Sequence, residues 1–254
     1  MRWLHTLLVA GALGTVSSAA ELPPLTVEEI VARHVEARGG LEKLRALRSL
    51  RRDGHLVLPG MKLEMTVREI RARPGRVRTE STLHGLTSID AYDGRTAWKV
   101  RPLRGRKDPE RVSSDETKAL MLSADVEGPL VDFKSKGHKV VLLGVEELDG
   151  TPCYKIRVDL KWGDQLITYV DSDSFMVLRE LQRMVVRGAE QFTEVDYGDY
   201  EQVAGVFVPT VEESGPRGSP SSEKAKVVYD RAEGNVAVND SLFAFPEGPA
   251  QGPR

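Results

Sequence analysis

The chain has 254 residues and a formal net charge of −2, with 36 Lys and Arg against 38 Asp and Glu. That balance removes the case for a nucleic-acid partner, and a single cysteine, Cys153, removes any intrachain disulfide. Hydrophobic residues at 40% and charged residues at 29% are ordinary for a folded, water-facing protein of one large domain or two small ones.

Residues 1–20 read as an export signal. Met1-Arg2 is a positive start, Leu7 to Val16 is a short apolar run, and Ser17-Ser18-Ala19-Ala20 offers small residues for cleavage after Ala19 or Ala20. The apolar run is shorter than the ~20 residues a spanning helix needs, and no cysteine follows it for lipid attachment. The mature protein is expected to be released as a soluble molecule outside the cytoplasm. Removal of Arg2 with the signal takes the net charge from −2 to −3.

A helix is predicted from Thr26, whose hydroxyl and Glu29 form a capping box, with Val27, Ile30, Val31, His34 and Val35 on one stripe. Gly39-Gly40 stops it, and Leu41, Leu44 and Leu47 mark a second short helix. After Leu47 the pattern alternates. Folding about Pro59-Gly60 predicts Leu58 opposite Met61, Leu56 opposite Leu63 and Gly54 opposite Met65. Asp93-Gly94 predicts Ile89 opposite Trp98. Asp149-Gly150 predicts Val145, Leu143 and Val141 opposite Tyr154, Ile156 and Val158. Gly163-Asp164 predicts Leu160 opposite Ile167 and Val158 opposite Tyr169.

Between these hairpins, Arg101 to Val112 reads as a charged loop and Ser114 to Ala124 as a helix with Leu120 and Met121 among its apolar positions. With Gly188-Ala189 as a turn, Arg187 faces Glu190 and Arg183 faces Glu194. This makes Glu190, Glu194 and Asp196 a solvated face rather than a metal site. Strands are predicted near Val203 to Glu212 and Lys224 to Arg231, with a Gly/Pro/Ser loop at Ser214 to Ser222 and a frayed tail over 247–254.

No nucleophile elbow, dinucleotide fingerprint, phosphate loop or paired zinc histidines occur, so an enzyme is not predicted and no cofactor or metal is assigned. Asp171-Ser172-Asp173-Ser174 is a fragment of a calcium loop that lacks the following Gly and the distal Glu, and reads as a polar turn. Cys153 reads as a small buried apolar residue.

The predicted class is mainly β with helices (α+β): a curled antiparallel sheet forming a half-open β-barrel closed by short helices. About ten strands share an apolar face, and only about three short helices are available to cover it. Leu56, Leu58, Leu63, Met65, Trp98, Val141, Leu143, Ile156, Val158 and Tyr169 are predicted to face inward beneath Leu120 and Met121. Two interiors satisfy that pattern, a packed core and an apolar cavity.

Several stretches resemble the outer-membrane lipoprotein-sorting (LolA-like) proteins. They are Ile30 to Ser49 with its Arg38-Gly39-Gly40-Leu41-Glu42-Lys43-Leu44, Tyr92-Asp93-Gly94 with Trp98, and Gly128 to Phe133 leading into Gly137-His138. Asp199-Tyr200 before Gly205 to Pro209, and the ending Leu242 to Pro246, also fit. The resemblance spans about residues 25 to 246 and implies one half-barrel domain over 21–246. It also implies a carrier that shelters lipid or the acyl chains of a lipoprotein, with transient membrane contact, in the manner of a transport chaperone. Leu56, Leu58, Leu63, Met65, Trp98, Leu120, Met121, Leu143, Ile156, Val158 and Tyr169 are the expected ligand-lining residues. The stretch Arg101 to Phe133 is the expected lid. Its Arg101, Arg104, Arg106, Lys107 and Arg111 either meet anionic head groups or form a solvated loop with Asp108 and Glu110. The alternative function is an envelope sensor or protein-interaction module of the same fold, without transport.

Overall fold

A computed structural model describes residues 25–246. The export signal and the tail lie outside the described residues. Helix α1 spans Val27–Ala37 and begins with the expected capping box, in which Thr26 and Glu29 satisfy each other's backbone donors. Gly39, at φ +117°, then turns the chain where only glycine fits. A Cβ there would lie 2.2 Å from the Gly205 carbonyl oxygen. Helix α2 is Leu41–Ala46.

Thirteen strands follow: β1 Ser49–Leu58, β2 Leu63–Ala72, β3 Arg76–Leu83, β4 Leu86–Tyr92, β5 Ala97–Arg101 and β6 Arg106–Arg111. After helix α3, Ser114–Ser123, come β7 Lys139–Leu148, β8 Thr151–Asp159, β9 Gln165–Asp171, β10 Val177–Val186, β11 Ala189–Val203, β12 Val206–Pro216 and β13 Ala225–Gly234. They form one antiparallel sheet in the order β6-β5-β4-β3-β2-β1-β13-β12-β11-β10-β9-β8-β7. Two meanders are thus joined where the first strand pairs with the last. The sheet is curled but not closed, a half-barrel with free edges at β6 and β7. Those edges are consecutive in the chain, so the connection 112–138 has to cross the opening from one side to the other. This places α3 and the loop behind it over the concave face.

Three apolar clusters fill the concavity. Ile30 and Val31 of α1 pack with Leu130 on Ile156, Val158, Leu166 and Val170. Leu44 and Leu47 pack with Val126 and Val131 on Leu50, Val206 and Val208. Val77, Tyr92 and Ala97 pack with Ala124, Leu120 and Met121. Each fully buried Leu or Ile contributes about 1.5–3 kcal/mol. Helix α3 is the loosest of these pieces, because none of its side chains is fully buried.

The structure corrects several sequence expectations. The segment 101–112 is not a loop throughout, since Arg106–Arg111 forms the edge strand β6. There Arg101 pairs with Asp90, Arg106 with Glu110 at 3.1 Å, and Arg111 lies over the Phe245 ring. At the β1–β2 turn, residues 59–62 are all used in the turn, so Leu56 faces Met65 and Leu58 faces Leu63. That two-residue slip keeps all four side chains on one face. A bulge between Leu142 and Gly144 brings Leu142, not Leu143, opposite Ile156, and Leu143 is exposed on the outer face. The β8–β9 turn is longer than predicted, so Val158 faces Leu166 and Tyr169 sits opposite Lys155 on the outer face. At the β10–β11 turn the two central residues are Arg187 and Gly188, both at positive φ. Glu194 and Asp196 are consequently held by Lys224, which is 2% exposed, and by Arg179, rather than by Arg183.

Candidate functional site: a polar cavity under helix α3

The apolar clusters around Ile30 and around Leu44 leave a cavity of about 330 Å³ between them. Its floor is the concave sheet: Leu50 and Arg52 of β1, Arg71 of β2, Glu180 and Gln182 of β10, Val195, Tyr197 and Tyr200 of β11, Val208 and Glu212 of β12. Its roof is the end of α1 at His34 and Arg38, the Leu122 turn of α3, and the loop Asp125 to Leu130. The alternation that brings Leu58 and Leu56 inward continues through Gly54 to Arg52 and, on β2, from Met65 through Val67 to Glu69 and Arg71. One face of one hairpin is therefore apolar at its tip and ionic at its base.

The ionic base is tightly organised. Arg52 donates from Nη2 to Glu69 Oε1 at 2.7 Å, from Nη1 to Glu212 at 2.7 Å, and again from Nη1 to the Pro209 carbonyl at 3.0 Å. Its guanidinium lies 3.8 Å from the centre of the Tyr229 ring. Arg71 forks onto the same Glu69 through Nε at 2.7 Å and Nη2 at 3.1 Å. Burial pushes the Glu69 carboxyl upward, but Arg52 and Arg71 outweigh it and hold the pKa well below the usual carboxylate range.

Glu180 behaves in the opposite way. It is buried with no cation within ion-pair distance among the described residues. Burial raises its pKa even though the Tyr197 hydroxyl, at 3.2 Å, and the Gln182 amide, at 3.4 Å, donate to it. His34 is buried with Nδ1 2.8 Å from the Phe175 carbonyl oxygen, and burial lowers its pKa to about 4. Neither serine of the lining, Ser123 nor Ser214, is hydrogen-bonded to His34 among the described residues.

A second cavity of about 390 Å³ lies on the other side of the segment Leu122 to Glu127, bordered by Tyr92, Met121, His138 and Trp162. Leu122, Asp125, Val126 and Glu127 are walls of both. The loop part of this wall is pinned. Arg73 binds Glu127 and the Leu44 and Leu47 carbonyls, and Lys136 binds Asp125 at 2.7 Å and the Gly128 carbonyl at 2.8 Å. Helix α3 is held instead by surface ion pairs at its first turn. Glu116 lies between Arg187, at 2.9 Å, and Lys99, at 3.5 Å.

Of the residues predicted to line a ligand site, Met121 borders the second cavity. Leu120 packs beside it against β3, β4 and β5. Ile156 and Val158 are fully buried under α1 in solid packing. Leu56, Leu58, Leu63 and Met65 share the inner face at the β1–β2 tip, half-buried and away from both cavities. Trp98 lies on the outer face, where its Nε1 donates to the Phe243 carbonyl at 2.8 Å and anchors the C-terminal segment. Leu143 and Tyr169 also face outward. Sequence reading missed Arg52, Glu69, Arg71, Glu180 and Glu212. The available signal was the hairpin alternation itself, carried two more pairs from the turn.

The sequence matches no protein-family model and no curated protein. Solved structures do match. An outer membrane lipoprotein-sorting protein domain from Vibrio parahaemolyticus superposes with a TM-score of 0.58 at 11% identity, over 86% of this chain and 95% of that one. A LolA superfamily protein from Nitrosomonas europaea gives 0.52 at 15% identity, over 87% and 98%. This chain has the LolA-like fold. A DUF1329 family protein from Desulfovibrio piger superposes on this chain as well, with a TM-score of 0.56 at 15% identity, over 86% and 97%.

Proposed function

We propose that the protein is a periplasmic carrier that shelters a lipid, or the acyl chains of a lipoprotein, inside its half-barrel, with helix α3 as the movable cover. The observation that carries this reading is the roofed cavity at the centre of a LolA-like fold, beneath a helix with no fully buried side chain. Loosely packed elements sit at the low end of local stability and open first. A shift of α3 would pull Leu122 from the wall shared by the two cavities and join them into a longer channel. Each methylene transferred from water into such a channel contributes about 0.8 kcal/mol. The cavity wall mixes Leu50, Val126, Leu130, Val195 and Val208 with charged groups, which suits an amphiphile better than a bare hydrocarbon. A carrier of this kind uses no catalytic group. Among the described residues no helix is long and apolar enough to cross a membrane, which fits release of cargo by transient contact.

Native mass spectrometry of protein purified gently from its own compartment tests the proposal, together with uptake of a fluorescent fatty acid. Recovery of a bound lipid mass and saturable uptake are expected. Ligand-free protein that takes up no fatty acid would overturn carriage. A stable complex with an envelope protein, without lipid transfer between vesicles, would favour the sensor or interaction role instead.

A further inference from the structure

The ion pairs around the central cavity are complete except at two residues, Arg38 and Glu180. Glu69 is held by Arg52 and Arg71, and Glu212 by Arg52. Asp125 is held by Lys136, and Glu127 by Arg73 and Lys136. Arg38 lines the same cavity, is nine-tenths buried, and has no carboxylate within ion-pair distance among the described residues. Its Nε donates to the Phe207 carbonyl at 2.6 Å and its Nη1 to the Glu127 carbonyl at 3.4 Å, while its Nη2 has no acceptor among the described residues. Burying a guanidinium on backbone carbonyls alone is costly, and a second arginine, Arg71, faces the same space. The one remaining carboxyl of the wall, Glu180, makes no ion pair with Arg38 or Arg71 among the described residues, and burial raises its pKa.

The geometry points to Arg38 as the receptor for an anionic head group: the cargo enters with a carboxylate or phosphate oxygen against Arg38, and its hydrocarbon extends away under α3. This deepens the carrier reading and rests on it. A planar guanidinium with a free edge matches two oxygens of a carboxylate or phosphate, and at a side chain buried as deeply as Arg38 such a charge-assisted pair is strong. The ligand then supplies the charged acceptor that Arg38 lacks, and affinity for the head group adds to burial of the chain. An uncharged amphiphile of the same length would leave Arg38 as it is and gain only the hydrophobic part.

The test is displacement of a neutral fluorescent acyl probe from the mature protein by hexadecanoate, hexadecyl phosphate and hexadecanol, with inorganic phosphate as a fourth competitor. The two anionic amphiphiles are expected to bind at least about tenfold tighter than the alcohol, and inorganic phosphate to displace nothing. In Arg38→Met the gap should fall below about threefold, and Arg38→Lys should keep part of it. Equal binding of acid and alcohol by the wild type overturns the assignment and leaves the carrier reading intact. A gap that survives in a folded Arg38→Met protein overturns it too, and displacement by inorganic phosphate would make the site one for small anions. Failure of every amphiphile to bind overturns both readings.

Discussion

Arg52 and Glu69 face each other across the β1–β2 ladder on the concave side of the sheet, 2.7 Å apart, with side chains only 2% and 8% exposed. An ion pair at this depth adds little to stability compared with apolar packing, yet breaking it from one side is expensive. Each side serves two partners. Glu69 holds Arg52 and Arg71, and Arg52 holds Glu69 and Glu212, so loss of Glu69 leaves Arg71 without a carboxylate and loss of Arg52 leaves Glu212 without a cation within ion-pair distance among the described residues.

Glu69→Gln and Arg52→Met are therefore each expected to cost about 3–5 kcal/mol in urea unfolding. A loss below about 1 kcal/mol in either variant would show that this network does not hold in solution.

His34 predicts an acid sensitivity. The unfolded imidazole takes up its proton near 6.5, whereas the folded one does so at about 4. A depressed pKa means that the contribution is fully present above about 6.5 and is lost as the pH falls through about 4. The loss amounts to at most ~3 kcal/mol. Thermal melts across that window should show the decline, and His34→Gln should flatten it whatever its stability at neutral pH.

Glu180 carries the opposite sign. Its folded pKa is raised by burial, so its contribution is fully present below the unfolded value near 4.3 and is lost as the pH rises through the raised value. Glu180→Gln keeps the shape and removes the titration. The variant is expected to match or exceed wild-type stability at pH 7 and to lose that advantage at pH 4. A variant less stable than wild type at both pH values would contradict this.

The first turn of α3 is held by Arg187 and Lys99 on Glu116, all in contact with solvent. Exposed pairs contribute little to global stability but can set local opening. Arg187→Glu should speed hydrogen exchange of amides in 114–123 several-fold, as should high salt, while leaving the melting temperature of the sheet nearly unchanged. Unaltered exchange would place the tether elsewhere.

How far the sequence could be read follows from the period of a strand. Side chains alternate, so a register error of two residues preserves the face and an error of one or three reverses it. Leu63 and Met65 stayed with Leu56 and Leu58 despite a longer turn at 59–62, because the slip was even. Tyr169 and Leu143 changed sides, one through a longer turn and one through a bulge that leaves no mark in composition. Trp98 and Ile89 share a face, but Trp98 lies opposite Ala91 and Ile89 opposite Val100, another even slip. Nothing local said that this face is the outer one, under Phe243.

The cavity itself was the least legible feature. The apolar alternation in β1 and β2 ends at ionic residues that read, one at a time, as surface positions. Arg52, Glu69 and Glu212 come together only because β1 pairs with β2 on one side and with β13 on the other, which brings β12 within reach.

The order of residues by itself determined the helix caps, the turns, the antiparallel meander and the shortage of helices to cover it, because these depend on neighbours a few positions apart. Tertiary structure alone decided which face became the interior and that its centre is ionic. It also left Arg38 without a carboxylate. Each depends on contacts between strands far apart in the chain, whose side-chain charges compensate one another only after the sheet has curled.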